Sequence, residues 1–362
     1  MLQLAISDVL ATMELRKKIG IRDVAKAAGV SVATVSRVLA KADYPVTEET
    51  RKRVTDVATA MGYVPNLLAK TFATSRTDTI GVAMPVLNAY YAKMLAGIEG
   101  AATEAGLSIL LTIVGASDER RESAIDQFVA RQLDGVIICS GAKDGPLRRA
   151  PEQMGVPAVI IGQQPSEGYV TVTVDNRRAS YEATDHLVSR GNRTIVFLTS
   201  NSDWPDFRDR LYGFQQRLAE EDRVTGQVIE GVYDEAQAYR AVTKLVAEKT
   251  TATAILAATD RQALGAMAAL ADAGLRVPSD MAVVGFDNYH TSEFVRPSLT
   301  SVDMPADAMG AKAVELVCMA KTSGAEKMAS VVLEPRLFIR QSSGSFDNAA
   351  LLAQSVKSLP SA

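Results

Sequence analysis

The sequence predicts a small all-α head followed by a larger α/β body of two lobes with parallel sheets. Three observations predict it. Residues 20–62 hold three short helical patterns separated by turn signals. From Thr79 onward, short runs that are apolar throughout alternate with amphipathic helical stretches, the pattern of parallel strands covered by helices on both faces. The body also repeats itself weakly: PAVIIGQQ (157–164) and MAVVGFDN (281–288) each follow a helix and a Val-Pro turn, and TIGVAMP (79–85) and TIVFLTS (194–200) open two similar halves. Two similar lobes imply a cleft between them, at the strand C-termini where open parallel sheets bind ligands.

Composition narrows the class. A chain of 362 residues exceeds what one compact core usually serves. Its apolar runs are short and broken, which excludes a transmembrane helix. No basic segment followed by an apolar one stands at the N-terminus, so secretion is not expected and the cytoplasm is. Cys139 and Cys318 are the only cysteines, and His186 and His290 the only histidines. That is too few for a disulfide framework or a zinc site, and neither a metal nor a cofactor is expected. An enzyme is not expected either: the Walker loop, the dinucleotide fingerprint and the G-x-S-x-G elbow are all absent. Charge is unevenly placed, with 12 Lys and Arg against 6 Asp and Glu in residues 13–76, and 27 against 35 in residues 77–362. A basic head on an acidic body means that only the head approaches a polyanion.

Taken in order, residues 1–12 read as an extension before a second candidate start at Met13. The run IRDVAKAAGVSVATVSRVL (21–39) then gives the most specific pattern. Residues Asp23 to Ala28 form a short helix, Gly29 permits the left-handed backbone of a tight turn, and Ser31 caps the next helix. Val24, Ala28, Val30, Val35 and Val38 pack the helices together. Val32, Ala33, Thr34, Ser36 and Arg37 face outward, small and polar side chains of the kind that fit a major groove. In the body, strands are expected at 79–85, 108–115, 134–140, 157–162, 194–200, 253–259 and 281–287. The stretch from Ser345 lacks a pattern and reads as a loose tail without the heptads of a tetramerising coiled coil.

Run 21–39, together with VTEETRKRVTDVATAMGYVPN (46–66), resembles the DNA-binding head and hinge entry of the lactose-repressor (LacI/GalR) family, and the resemblance extends over residues 21–343. It implies an all-α helix-turn-helix head at 20–65, a hinge helix and linker at 66–76, a two-lobed periplasmic-binding-protein-like domain with parallel sheets at 77–343, and a tail at 344–362. It implies base readout by Val32, Ala33 and Arg37, with Ser31, Thr34 and Ser36 contributing groove or phosphate contacts. Hinge segment NLLAKTFA (66–73) starts at Asn66, and Phe72 stands where relatives place a minor-groove leucine wedge.

For the body, the resemblance implies an effector between the lobes, usually a sugar or sugar derivative. Arg210, three residues before Gly-aromatic in WPDFRDRLYGF, matches a ligand-binding arginine, and Asp287 a ligand-binding aspartate. Trp204, Asp206, Tyr233, Tyr90 and Tyr91 complete the candidate set: rings for the C–H faces of a sugar, donors and acceptors for its hydroxyls. Asp260 reads as structural, and Met304 as either cleft lining or core. Thr259 stands where many members carry Asn, a departure that leaves open a DNA binder without ligand sensing. A solute-binding protein for transport is the remaining alternative. The implied partners are double-stranded operator DNA, a small-molecule effector and a second copy of the chain. A lone hinge helix this short is marginal, so effector binding would act on DNA affinity through the spacing of paired hinges.

Overall fold

The structure is a computed structural model; it describes residues 19–39, 45–64, 76–115, 117–139, 154–162, 169–200, 204–323 and 329–344. Backbone contacts divide the chain into two compact units, 1–77 and 78–362.

The first unit holds α1 (Ile21–Ala28), α2 (Val32–Leu39) and α3 (Glu48–Ala60). Helix α1 begins two residues earlier than the sequence pattern marked, because the Asp23 carboxylate turns back to accept from the Gly20 N–H at 2.9 Å. Gly29 ends it at φ +68°, left-handed as the turn requires. Ser31 Oγ then accepts from Thr34 N at 3.0 Å and caps α2. Thr47 caps α3 in the same way, and Glu48 and Glu49 lie in its first turn, where the helix dipole favours negative charge. Val24, Ala28, Val35, Val38, Val54 and Ala58 form the buried centre, with Val30 packed on it.

The second unit carries two six-stranded sheets. Strands β1 (Thr79–Met84), β2 (Ser108–Ile113), β3 (Gly135–Cys139), β4 (Ala158–Ile161), β5 (Val170–Val174) and β11 (Val331–Leu333) form one, in the order β11-β5-β4-β3-β1-β2. Strands β6 (Thr194–Leu198), β7 (Thr225–Ile229), β8 (Ala254–Ala257), β9 (Ala282–Phe286), β10 (Thr300–Asp303) and β12 (Arg336–Phe338) form the other, in the order β12-β10-β9-β8-β6-β7. The two orders are the same series shifted by one lobe. Strands β1 and β6, and β4 and β9, hold equivalent places, which is the internal repeat seen in the sequence. All pairings are parallel except β12 on β10, which is antiparallel.

Helices α4 (Ala89–Glu104), α5 (Asp118–Ala130), α6 (Asn176–Ser189), α7 (Pro205–Leu218), α8 (Glu235–Ala247), α9 (Asp260–Asp272) and α10 (Ala306–Ser323) cover these sheets. The chain changes sheets three times: between β5 and α6, between β10 and α10, and between β11 and β12. Helix α10 packs on β3, β4 and β5 and lies against α4. That crossing is tight, since a Cβ at Gly97 would lie 2.7 Å from Asp307 Cα and collide with its carbonyl group. Met304 is buried in the core and does not line the cleft.

Candidate functional site

The C-terminal ends of the parallel strands in both sheets face one cleft of about 250 Å³, near the lower end of the ~300–1,000 Å³ usual for small-molecule sites. Each of the seven candidate ligand residues, Tyr90, Tyr91, Trp204, Asp206, Arg210, Tyr233 and Asp287, lines it. Tyr90 and Tyr91 come from the start of α4 in the first lobe; the other five come from the second.

Arg210, on α7, is 4% exposed. Its Nε donates to Asn176 Oδ1 at 2.8 Å, and Nη1 donates to the Ala258 carbonyl. The guanidinium carbon lies 4.7 Å from the Phe286 ring centre and 5.4 Å from that of Phe207, so two aromatic faces help hold the buried charge. Asn176, the first residue of α6, also donates from Nδ2 to Asp206 Oδ1 at 3.1 Å and to the Val174 carbonyl at 3.2 Å. One amide therefore orients both the arginine and an acidic group of the cleft, from the point where the chain leaves the first sheet. Asn176 was not among the sequence candidates, since a lone Asn after a strand has no distinguishing pattern.

Asp287 follows β9 with φ +98°, an uncommon conformation for a residue other than glycine. Its N–H donates to the Val302 carbonyl at 2.8 Å. Burial pushes its carboxyl up to about 8, against the pull of Arg210, and it also shares a hydrogen bond with Tyr289. Burial therefore favours the neutral form of this carboxyl.

Asp260 lies outside the lining. It accepts from Ser301 Oγ and Ser292 Oγ, each at 2.6 Å, and from Tyr289 N at 2.8 Å. Those bonds tie the segment after Asp287 to α9, the structural role expected for it. Thr259 caps α9: its Oγ1 accepts from Gln262 N at 3.3 Å, and its N–H donates to Gln262 Oε1 at 3.0 Å. Gln262 also donates to the Val232 carbonyl at 2.6 Å, which anchors the segment leading to Tyr233.

The aromatic wall is continuous in the second lobe. Trp204 lies 5.6 Å from Phe207 and 6.3 Å from Tyr233 by ring centres, and Tyr90 and Tyr91 meet edge-on at 5.2 Å. Burial raises both tyrosine hydroxyls above their usual range, keeping them neutral donors. Phe207, Gln262, Arg261 and Tyr289 line the cleft and were also absent from the sequence candidates. Arg261 is engaged by Glu235 through two bonds of 2.9 and 2.6 Å, and this contact holds the Glu235 carboxyl below its usual value.

In the head, Val32 is 41% exposed, and Ala33, Ser36 and Arg37 are exposed with it. Thr34 is half-buried, and its hydroxyl lies 2.9 Å from Ser31 Oγ. Ser31 and Thr34 thus serve the cap as well as the exposed face. Asn66 and Phe72 lie outside the described residues. Among the described residues no helix is long and apolar enough to cross a membrane, and no cluster of three or more His, Cys, Asp or Glu offers a metal site.

A three-helix unit on the same chain as a two-lobed α/β unit with a lined cleft is the architecture of a ligand-responsive regulator. Comparison with known proteins places it more closely. Residues 20–66 match the family model for bacterial regulatory proteins of the lacI family, and residues 184–343 match that for periplasmic binding protein-like domains. Catabolite control protein A of Priestia megaterium is 33% identical over 327 residues, covering 89% of this chain and 98% of that protein. A structure of the lac repressor dimer bound to operator and the anti-inducer ONPF superposes with a TM-score of 0.82 at 27% identity, covering 91% of this chain and 100% of that one. A complex of the transcriptional regulator CelR with cellobiose gives a TM-score of 0.67 at 29% identity, covering 90% and 99%. The chain belongs to the LacI family of bacterial regulatory proteins.

Proposed function

We propose that the chain is a dimeric repressor whose hold on operator DNA is set by a neutral sugar or sugar derivative bound in the cleft. The observation that carries the effector class is the pairing of Arg210 and Asp287 with the Trp204–Phe207–Tyr233 wall in one cleft. A fixed guanidinium supplies donors, the Asp287 carboxyl supplies acceptor oxygens, and the rings cover the apolar face of a pyranose. The cellobiose complex of CelR and the operator-bound lac repressor dimer favour this reading by analogy. In the head, Val32, Ala33 and Arg37 are assigned to base edges, and Ser31, Thr34 and Ser36 to groove or phosphate contacts. Asn66 and Phe72 are assigned to the hinge contact. A two-fold dimer suits a palindromic site.

The test joins two measurements on the full chain. Thermal shift against cellobiose, glucose, maltose and ribose identifies the effector, since a ligand at 100 times its Kd adds ~2.7 kcal/mol of stability. A mobility-shift titration on the palindrome in the chain's own promoter then reads the change in DNA affinity with that sugar. Stabilisation together with weakened operator binding is the expected result. Operator binding that no sugar alters, without stabilisation, would make the chain a constitutive DNA binder. Sugar binding without any operator binding would favour a solute-binding role.

A further inference from the structure

Among the described residues, five side-chain polar atoms are fully buried without a hydrogen-bond partner: Arg121 Nε and the hydroxyls of Thr171, Ser180, Thr199 and Ser200. Ser200 alone among these residues lines the cleft. It follows β6, is 2% exposed, and is fixed through its backbone, whose carbonyl accepts from Gly231 N at 3.0 Å. The hydroxyl is thus closed off from bulk water and unanswered by the protein. Burying a hydroxyl in that state is unfavourable, and a buried polar group of this kind on a binding surface has an obvious use.

We infer that Ser200 Oγ is an effector contact that sets specificity. This inference rests on the sugar reading of the cleft. A serine hydroxyl can donate or accept, so a sugar hydroxyl satisfies it in either sense. An analogue lacking that hydroxyl leaves it unsatisfied. The neighbouring elements fit the role. Trp204, just before the helix that follows Ser200, and Arg210, within that helix, reach the same cleft, and Tyr233 reaches it from the segment that Gly231 begins. Ser200 thus shares one cleft lining with the aromatic wall and the guanidinium that the sugar reading assigns to the effector.

The test is Ser200→Ala in the full chain, by isothermal titration with cellobiose, glucose, maltose and ribose, with melting of the ligand-free protein measured alongside. The sugar that binds wild type should bind the variant about 3- to 10-fold more weakly, the effect of one neutral hydrogen bond. The ligand-free variant should melt at or above the wild-type temperature, because an unanswered hydroxyl has been removed. Equal sugar affinity in the two proteins would overturn the assignment while leaving the sugar reading intact. A lower melting temperature for the ligand-free variant would also overturn it, by showing that the hydroxyl is bonded within the protein. If no sugar binds wild type, the sugar reading fails and this inference fails with it.

Discussion

Asn176→Ala tests how the cleft holds the buried Arg210 guanidinium. The amide joins three groups, Arg210 Nε at 2.8 Å, Asp206 Oδ1 at 3.1 Å and the Val174 carbonyl at 3.2 Å. Removing it leaves a cation and a carboxylate each short of a partner. Hydrogen bonds to charged groups contribute ~1.5–3 kcal/mol each, so the two add to ~3–6 kcal/mol if nothing relaxes. A water in the vacated space recovers part of this, and Arg210 keeps its bond to Ala258 and its two aromatic faces. A net loss of ~2–3 kcal/mol is expected, within the range for breaking a buried polar network. At ~2 °C per kcal/mol for a unit of this size, the melting temperature falls by ~5 °C. Effector affinity should fall about tenfold, as one poorly aligned polar contact of ~1.4 kcal/mol requires. Calorimetry and titration of the full chain read the two effects separately. Wild-type sugar affinity with a melting shift under ~1 °C would refute the reasoning, and would assign the alignment of Arg210 to ring packing alone.

Two further outcomes follow from other parts of the structure. Burial raises the Asp287 carboxyl from 3.8 to about 8, so the folded state keeps a proton that the unfolded chain releases; the stability this group contributes is complete below about pH 4 and is lost as pH rises toward 8. Asp287→Asn removes that loss, so the ligand-free variant should gain on wild type steadily from pH 5 to 8 in thermal melts, and parallel curves would refute it. At the α4–α10 crossing, Gly97→Ala places a Cβ against the Asp307 backbone and should cost ~1–3 kcal/mol. Gly100→Ala, one turn on, meets nothing within 4 Å and should stabilise by up to ~1 kcal/mol; like effects at both sites would count against the close packing.

The inner strands were legible because both faces are covered, so β3, β4, β8 and β9, and β1 and β6 after their first Thr, read as unbroken apolar runs. Edge strand β7, Thr225–Ile229, carries Thr, Gly and Gln on exposed positions and gives no such run. Strands β11 and β12 are three residues each, too short for any periodicity, and β5 alternates Val and Thr although four of its five residues are buried. The candidate site divided on chemical grounds. Arg210, Asp287 and Trp204 announce themselves as charge or ring within a recognisable segment. Asn176 and Ser200 are common surface residue types, and only their burial gives them a role. Thr259 broke the family pattern in the sequence, and the structure spends its backbone donor and side-chain acceptor on capping α9.

The three passages of the chain between sheets have a consequence for biosynthesis. The first lobe, begun at Thr79, receives α10 and β11 only after the second lobe's helices and nearly all its strands have been made. At ~5–20 residues per second, β1 to β5 must wait on the order of ten seconds or more for the helix that covers β3, β4 and β5. Throughout that interval a face of the nascent sheet stays uncovered beside the ribosome. The second lobe waits in turn for β12, the last strand among the described residues, so neither lobe is complete until almost the whole body has been synthesised, and a premature stop anywhere before Leu333 leaves both unfinished.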